Sequence, residues 1–195
     1  MSLDPLPQRG PRAATRTLLV YHARMATPLG RLLPDLEDPR RNLVREAWDR
    51  LSRLPGGKRI FSELIGRAAP YSGSIGASVR ALSVGHSEVQ LRDRPRLRNH
   101  LRCVHAIALA NLAELTGNVA LAYSLPADAR FIVAGLDIEY VKKARGTITG
   151  LCDCQGIVSS ERREYLVAVR MVDAKDEVVA RATLRTLVGP KKGRA

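Results

Sequence analysis

Apolar positions along this chain change their period three times. Between Arg40 and Leu54 they recur at helical spacing (Leu43, Val44, Ala47, Leu51 and Leu54), and Pro55-Gly56-Gly57 closes that run. A second short helix is expected over Lys58 to Ala68, with Ile60, Phe61, Leu64 and Ile65 on one side, and Pro70 stops it. The pattern then turns to period two. Ile75, Ala77, Val79 and Ala81 predict a strand, Gly85-His86 a turn, and Val89 and Leu91 a second strand. A charged connection, Arg-Asp-Arg-Pro-Arg-Leu-Arg at 92–98, follows. Upstream, Leu18 to Met25 opens a possible short helix within 18–33, and Pro34 to Pro39 reads as a break.

Residues 103–122 are the longest apolar-rich segment, dominated by Ala and Leu, both strong helix formers. Their apolar positions run almost all round the helix, which predicts burial. Asn111, Glu114 and Asn118, at i, i+3 and i+7, make one polar stripe with Ile107 on the same side. Four strand-like runs come next. Ile132, Ala134, Leu136, Ile138 and Tyr140 alternate with more polar neighbours, and runs at 147–154, 165–172 and 178–188 follow, the last two joined by a turn at 173–177. No crossover helix separates these four strands. Short gaps suit antiparallel pairing, so the expected class is α+β, an antiparallel sheet around one long helix.

Composition narrows the function classes. The 195 residues, 45% hydrophobic, suffice for one domain with an appendage. The division expected is a basic, partly disordered arm over 1–39, a helical extension over 40–69 and the main domain over 70–190. No uninterrupted apolar run reaches the roughly 18 residues of a membrane span, and the N-terminus lacks a secretory h-region. Its arginines resemble those of an organelle transit peptide as well as those of a flexible basic arm. The net charge of +13 favours polyanionic partners, a nucleic acid or a phosphorylated cofactor. With aromatics at 4% and no nucleic-acid motif, base stacking is disfavoured, and nucleic acid with it. Three cysteines, Cys103 and the pair Cys152 and Cys154, lack the further ligands of a zinc site. They read as reduced thiols of a cytoplasmic protein, and no metal is expected.

The candidate chemistry gathers in Asn99-His100-Leu101-Arg102-Cys103-Val104-His105 and the helix behind it. Nine residues separate His105 from Glu114, a rise of about 13 Å, and the two point to nearly opposite sides. They meet only if a two-fold dimer brings one copy's Glu114 to the other's helix start. Lys142, Lys143 and Arg145 cluster at a strand end, either as a phosphate site or as a solvated strand terminus. His100 and His105 read equally as helix caps.

Taken with the order of elements, this stretch resembles the acyl-CoA thioesterases of the hotdog fold, in which a sheet wraps one central helix. The phenylacetyl-CoA thioesterase-like branch is the most similar. Asn99 stands at that branch's Asn, His105 at its His, and Glu114 at its catalytic acid, more often Asp. Ala106 and Ile107 occupy positions where glycines are usual. The resemblance covers about residues 70–188. Two phrases, Pro-Tyr-Ser-Gly-Ser-Ile at 70–75 and Tyr-Val-Lys-Lys-Ala-Arg-Gly at 140–146, resemble those of an uncharacterised hotdog subgroup.

The resemblance implies thioester hydrolysis in a homodimer or a dimer of dimers. Backbone N–H groups near His105, Ala106 and Ile107 would hold the oxyanion, Asn99 would add a donor or position the substrate, and Glu114 would act as general base or nucleophile. Lys142, Lys143 and Arg145 would bind the phosphates of coenzyme A, which enters as part of the substrate and not as a separate cofactor. Two other readings stay open. One is a hotdog dehydratase of 3-hydroxyacyl thioesters using His100 and Glu114. The other is a module that binds acyl-CoA or nucleic acid without turnover.

Overall fold

The computed structural model describes residues 40–191. The arm expected over 1–39, with its short helix, and the final four residues lie outside them. Three helices come first: α1 (Leu43–Leu51), α2 (Gly57–Ala68) and the single turn α3 (Pro70–Gly73). The hairpin β1 (Ser78–Ser83) and β2 (His86–Leu91) follows, then a 3-10 turn at Pro95–Leu97 and the long helix α4 (Ala106–Ser124). The strands β3 (Ala129–Tyr140), β4 (Ile148–Asp153), β5 (Arg163–Val172) and β6 (Val178–Pro190) complete the fold.

All six strands form one antiparallel sheet in the order β1-β2-β4-β5-β6-β3. The expected α+β class is the one observed, with the sheet wrapped on α4. Leu112, Ala113, Val119, Ala120 and Leu121 of that helix are buried against Val89, Ile148, Val167, Val169 and Leu184 of the strands. α4 is long and apolar enough to span a bilayer, but its apolar surface is spent on this core. The helix comes very close to β4. A Cβ at Gly150 would lie 2.3 Å from Thr116 Oγ1, so only glycine fits beneath that turn.

Both α1 and α2 belong to the same core, through an edge-to-face pair of Trp48 and Phe61 with centroids 5.0 Å apart. Asn42 caps two helices at once. Its Oδ1 accepts from Arg45 N at the start of α1, while its Nδ2 donates to the carbonyls of Ala122 and Leu125 at the end of α4. Arg45 adds hydrogen bonds to the carbonyls of Tyr123 and Leu125, placing a cation at the negative end of the helix dipole.

The two sheet edges are treated differently. On β1, Val79 N donates to Ser62 Oγ and Arg80 O accepts from Lys58 Nζ, so α2 covers that edge. β3 pairs with β6 alone, and no described element covers its other side.

Two strand expectations need correction. β1 begins at Ser78, and a bulge between Val79 and Ala81 turns Val79 and Leu82 inward instead of Val79 and Ala81. A bulge between Val133 and Gly135 breaks the predicted alternation of β3. Phe131 and Val133 share the inner face with Leu136, Ile138 and Tyr140, while Ile132 points outward at 66% exposure. One extra residue reverses the facing of everything before it, which a two-residue period cannot anticipate.

Candidate active site

The start of α4 is assembled by the loop before it. His105 N donates to Leu97 O, and Arg98 bridges to Val104. Asn99 Oδ1 accepts from Leu101 N at 2.9 Å and from Cys103 Sγ at 3.3 Å, which ties the turn around Arg102 at φ 55°. The Asn99 Nδ2 has no acceptor among the described residues and remains a free donor at this end of the helix. His100 is exposed on the same turn.

His105 is the N-cap of α4. Its Nδ1 accepts from Ile107 N at 3.1 Å, which places the ring proton on Nε2. Capping therefore consumes one of the N–H groups expected to hold an oxyanion. The Ala106 N–H has no acceptor among the described residues, and it sits at the positive end of a 19-residue helix. Ile107 stands out from the fold at 56% exposure. Tyr140 closes the other side, its hydroxyl donating to Ala106 O at 3.0 Å, and partial burial pushes the phenol up from its ordinary range. Val104 N donates to Ala144 O, so the segment 140–144 lies directly against the helix entry. Sequence reasoning missed this role of Tyr140. Its only signal was its place beside the lysines of the 140–146 phrase.

Of the three cations proposed for phosphate, Lys142 is otherwise engaged. It bridges Asp173, at 2.8 Å, and Glu177 at the tip of the β5–β6 hairpin. These hydrogen bonds raise the Lys142 amine above its ordinary range and hold the Asp173 carboxyl at about 2. Lys142 thus fastens the hairpin tip, with two carboxylates facing its amine. Lys143 and Arg145 are exposed beside the helix start.

Glu114 lies in the middle of α4, partly buried on the predicted stripe. Asn118 Nδ2 donates to its Oε1 at 3.4 Å, and Asn111 Nδ2 donates to Tyr71 O on α3. The carbonyl oxygens of both asparagines, Asn111 Oδ1 and Asn118 Oδ1, are buried and have no donor among the described residues. One carboxylate is thus flanked by two unsatisfied acceptors, an arrangement that asks for N–H or O–H groups from beyond the described residues. The structure brings Asn99, His105, Ala106, Lys143 and Arg145 together at one end of α4. It does not bring Glu114 to them, nor His100 to Glu114. Eight residues of helix, about 12 Å of rise, separate Ala106 from Glu114.

Cys103 and Cys152 are buried and Cys154 is half-buried, all as free thiols. Among the described residues no three His, Cys, Asp or Glu side chains cluster as metal ligands.

Comparison with known proteins matches this architecture. A structural-genomics crystal structure is 32% identical, with a TM-score of 0.65 over 76% of this chain and 97% of that one. A Pseudomonas aeruginosa protein of unknown function, named as a probable thioesterase, is 20% identical with a TM-score of 0.59, covering 70% and 97% of the two chains. A Haemophilus influenzae protein named as a thioesterase is 13% identical with a TM-score of 0.60, covering 70% and 93%. No curated protein matches in sequence. The domain of unknown function DUF4442 matches residues 57–188, the span from α2 to the end of β6. The chain is a hotdog-fold protein and belongs to the DUF4442 family.

Proposed function

We propose that this protein is an acyl-CoA thioesterase whose site forms between two copies of the chain. The observation that carries the reading is Glu114, a carboxylate on the central helix between two asparagine carbonyls that lack donors. In this reading the open β3 edges pair about a two-fold axis, covering Leu136 and Tyr140. One copy's helix start then faces the other copy's Glu114. The helix end polarises the thioester carbonyl, with the Ala106 N–H as principal donor and Asn99 Nδ2 beside it. The Ile107 N–H is held by His105, so it joins only if that cap opens. Glu114 takes a proton from water as the water oxygen attacks the carbonyl carbon. The tetrahedral intermediate collapses, the C–S bond breaks, and the thiolate leaves and takes up a proton. Direct attack by the carboxylate is the alternative, through an anhydride that water then opens. Lys143 and Arg145 add positive potential at the entry. The similarity to proteins named as thioesterases supports this class of activity.

Purified protein is expected to release free thiol from at least one of a panel of short-chain, aromatic and long-chain acyl-CoAs. Glu114→Gln should lower kcat by about 10²-fold or more, the usual size of a lost general base. Absence of thiol release across the panel, or an undiminished rate in Glu114→Gln, would falsify the assignment.

A further inference from the structure

A second basic feature of the described fold lies on the α2 side of the loop that enters α4. A cleft of about 940 Å³ runs between α2, α3 and the edge strand β1, and it is the right size for a nucleotide-sized ligand. Lys58, Arg59, Arg67, Arg80, Arg92 and Arg94 line it, against one carboxylate, Glu63. That carboxylate is already shared by Arg59 at 3.2 Å and Arg67 at 3.9 Å. Lys58 is turned to Arg80 O and the Trp48 ring. Arg80, Arg92, Arg94 and the adjoining Arg96 have no carboxylate among the described residues.

The connection at 92–98 explains why. Arg92 and Arg94 take one side of the extended chain, while the acid between them takes the other. Asp93 pairs with Arg98 at 2.8 Å and accepts from Gly146 N. The Arg98 guanidinium, followed by burial, sets its ionisation, and the net effect holds the carboxyl below its ordinary range. The only acid of the segment is therefore withdrawn from the cleft. Two guanidiniums then converge on Gly76, at φ +62°. Arg94 Nη1 lies 3.0 Å and Arg96 Nη2 3.2 Å from where a Cβ would stand. Like charges brought together with no acid between them are costly unless an anion bridges them. The small residues of the 70–75 phrase, Ser72, Gly73 and Ser74, line the same cleft and leave its floor open.

The cleft also touches the proposed catalytic face. Leu115 forms part of its wall, and Asn111, one turn before Leu115, is bonded to α3. Glu114 stands beside both. We infer that this cleft binds the phosphorylated nucleotide end of the CoA thioester, with Arg94 and Arg96 bridging a phosphate and Arg80 and Arg92 flanking it. The inference rests on the thioesterase reading for its ligand, and it places the phosphates here and not on the 142–145 cluster.

The test compares an acyl-CoA with the same acyl group on pantetheine, which lacks the nucleotide. In the Arg94→Ala/Arg96→Ala protein, KM for the acyl-CoA should rise at least about tenfold, the loss of charge-assisted hydrogen bonds, with kcat kept. The pantetheine thioester should be unaffected. Arg170→Ala, which removes an exposed charge from the outer sheet face, should change neither. Equal effects on both thioesters, or none on the acyl-CoA, overturn the inference and leave the thioesterase reading standing. If neither thioester is hydrolysed, the thioesterase reading fails instead, and calorimetric titration with coenzyme A decides the cleft. Binding lost in the double variant and in Arg80→Ala upholds it. Undiminished binding overturns it, as does tight binding of an RNA oligonucleotide that coenzyme A does not displace. Thermal melting of each variant establishes that it is folded.

Discussion

Single residues decide how close the helix sits to the sheet and which atoms remain for chemistry. Thr116 donates to Leu112 O within α4 and is fully buried, so it cannot swing away from β4. A methyl group at Gly150 would meet it at 2.3 Å. Gly150→Ala should therefore destabilise by about 1–3 kcal/mol, the usual cost of overpacking. Thr116→Ala in the same chain should recover much of that loss, because the two residues share one contact. Urea denaturation of the two single variants and the double variant measures the coupling, and simple additivity would contradict this packing account. At the same scale, His105 shows how capping and chemistry compete. Its imidazole satisfies the Ile107 N–H, and in doing so reserves the Ala106 N–H for anything outside the helix.

At the level of elements, the β5–β6 hairpin is fastened at its tip. Asp173 accepts from Lys175 N and Glu177 N and pairs with Lys142 beyond the end of β3. Its folded pKa of about 2 lies below the ordinary carboxylate value of about 3.9. A depressed acid stabilises the fold above its unfolded value, and that contribution is lost as pH falls through about 2. Lys142, raised by the same bonds, contributes below its ordinary range and loses that contribution as pH rises through the raised value. The tip should thus stay closed through mild acid. In an NMR titration Asp173 should ionise near pH 2, and in Lys142→Ala its midpoint should move back toward the ordinary range. An unmoved midpoint would mean that the backbone donors alone depress it. α2 is likewise an edge cover as much as a helix, since Ser62 and Lys58 occupy the polar groups of β1.

For the molecule as a whole, the decisive asymmetry is that, among the described residues, one sheet edge is covered and the other open. β3 is a 12-residue strand; Leu136 and Tyr140 on it and Val141 just past its end are 38%, 44% and 45% exposed. A long open edge with apolar side chains is a template for pairing. Light scattering should find a dimer, and Leu136→Asp should shift it toward monomer by burying an unpaired charge at the contact. If Glu114 serves the partner's helix start, thioesterase activity should fall with the dimer. A stable dimer in Leu136→Asp with full activity would place the contact elsewhere.

Much of this was legible along the chain, because it depends on local chemistry. Period and propensity are properties of neighbouring residues. Thus the buried helix, the number of strands after it, the 173–177 turn and the polar stripe at Asn111, Glu114 and Asn118 could all be read from the residues alone. Where that reasoning failed, the cause was pairing, which no local period encodes. The bulge in β1 lies in the register of its own hairpin with β2, that in β3 in pairing with the distant β6, and each reverses which residues face the core. Lys142 looked like a free cation until the hairpin tip, more than thirty residues on, supplied its two carboxylates. Asp93 looked like one acid among arginines until Arg98 and Gly146 turned it away. A sequence determines which charges and surfaces a chain possesses. Only the tertiary structure decides which of them cancel one another, and among the described residues it leaves Glu114 without an ion pair and Arg80, Arg92, Arg94 and Arg96 without a carboxylate around one cleft.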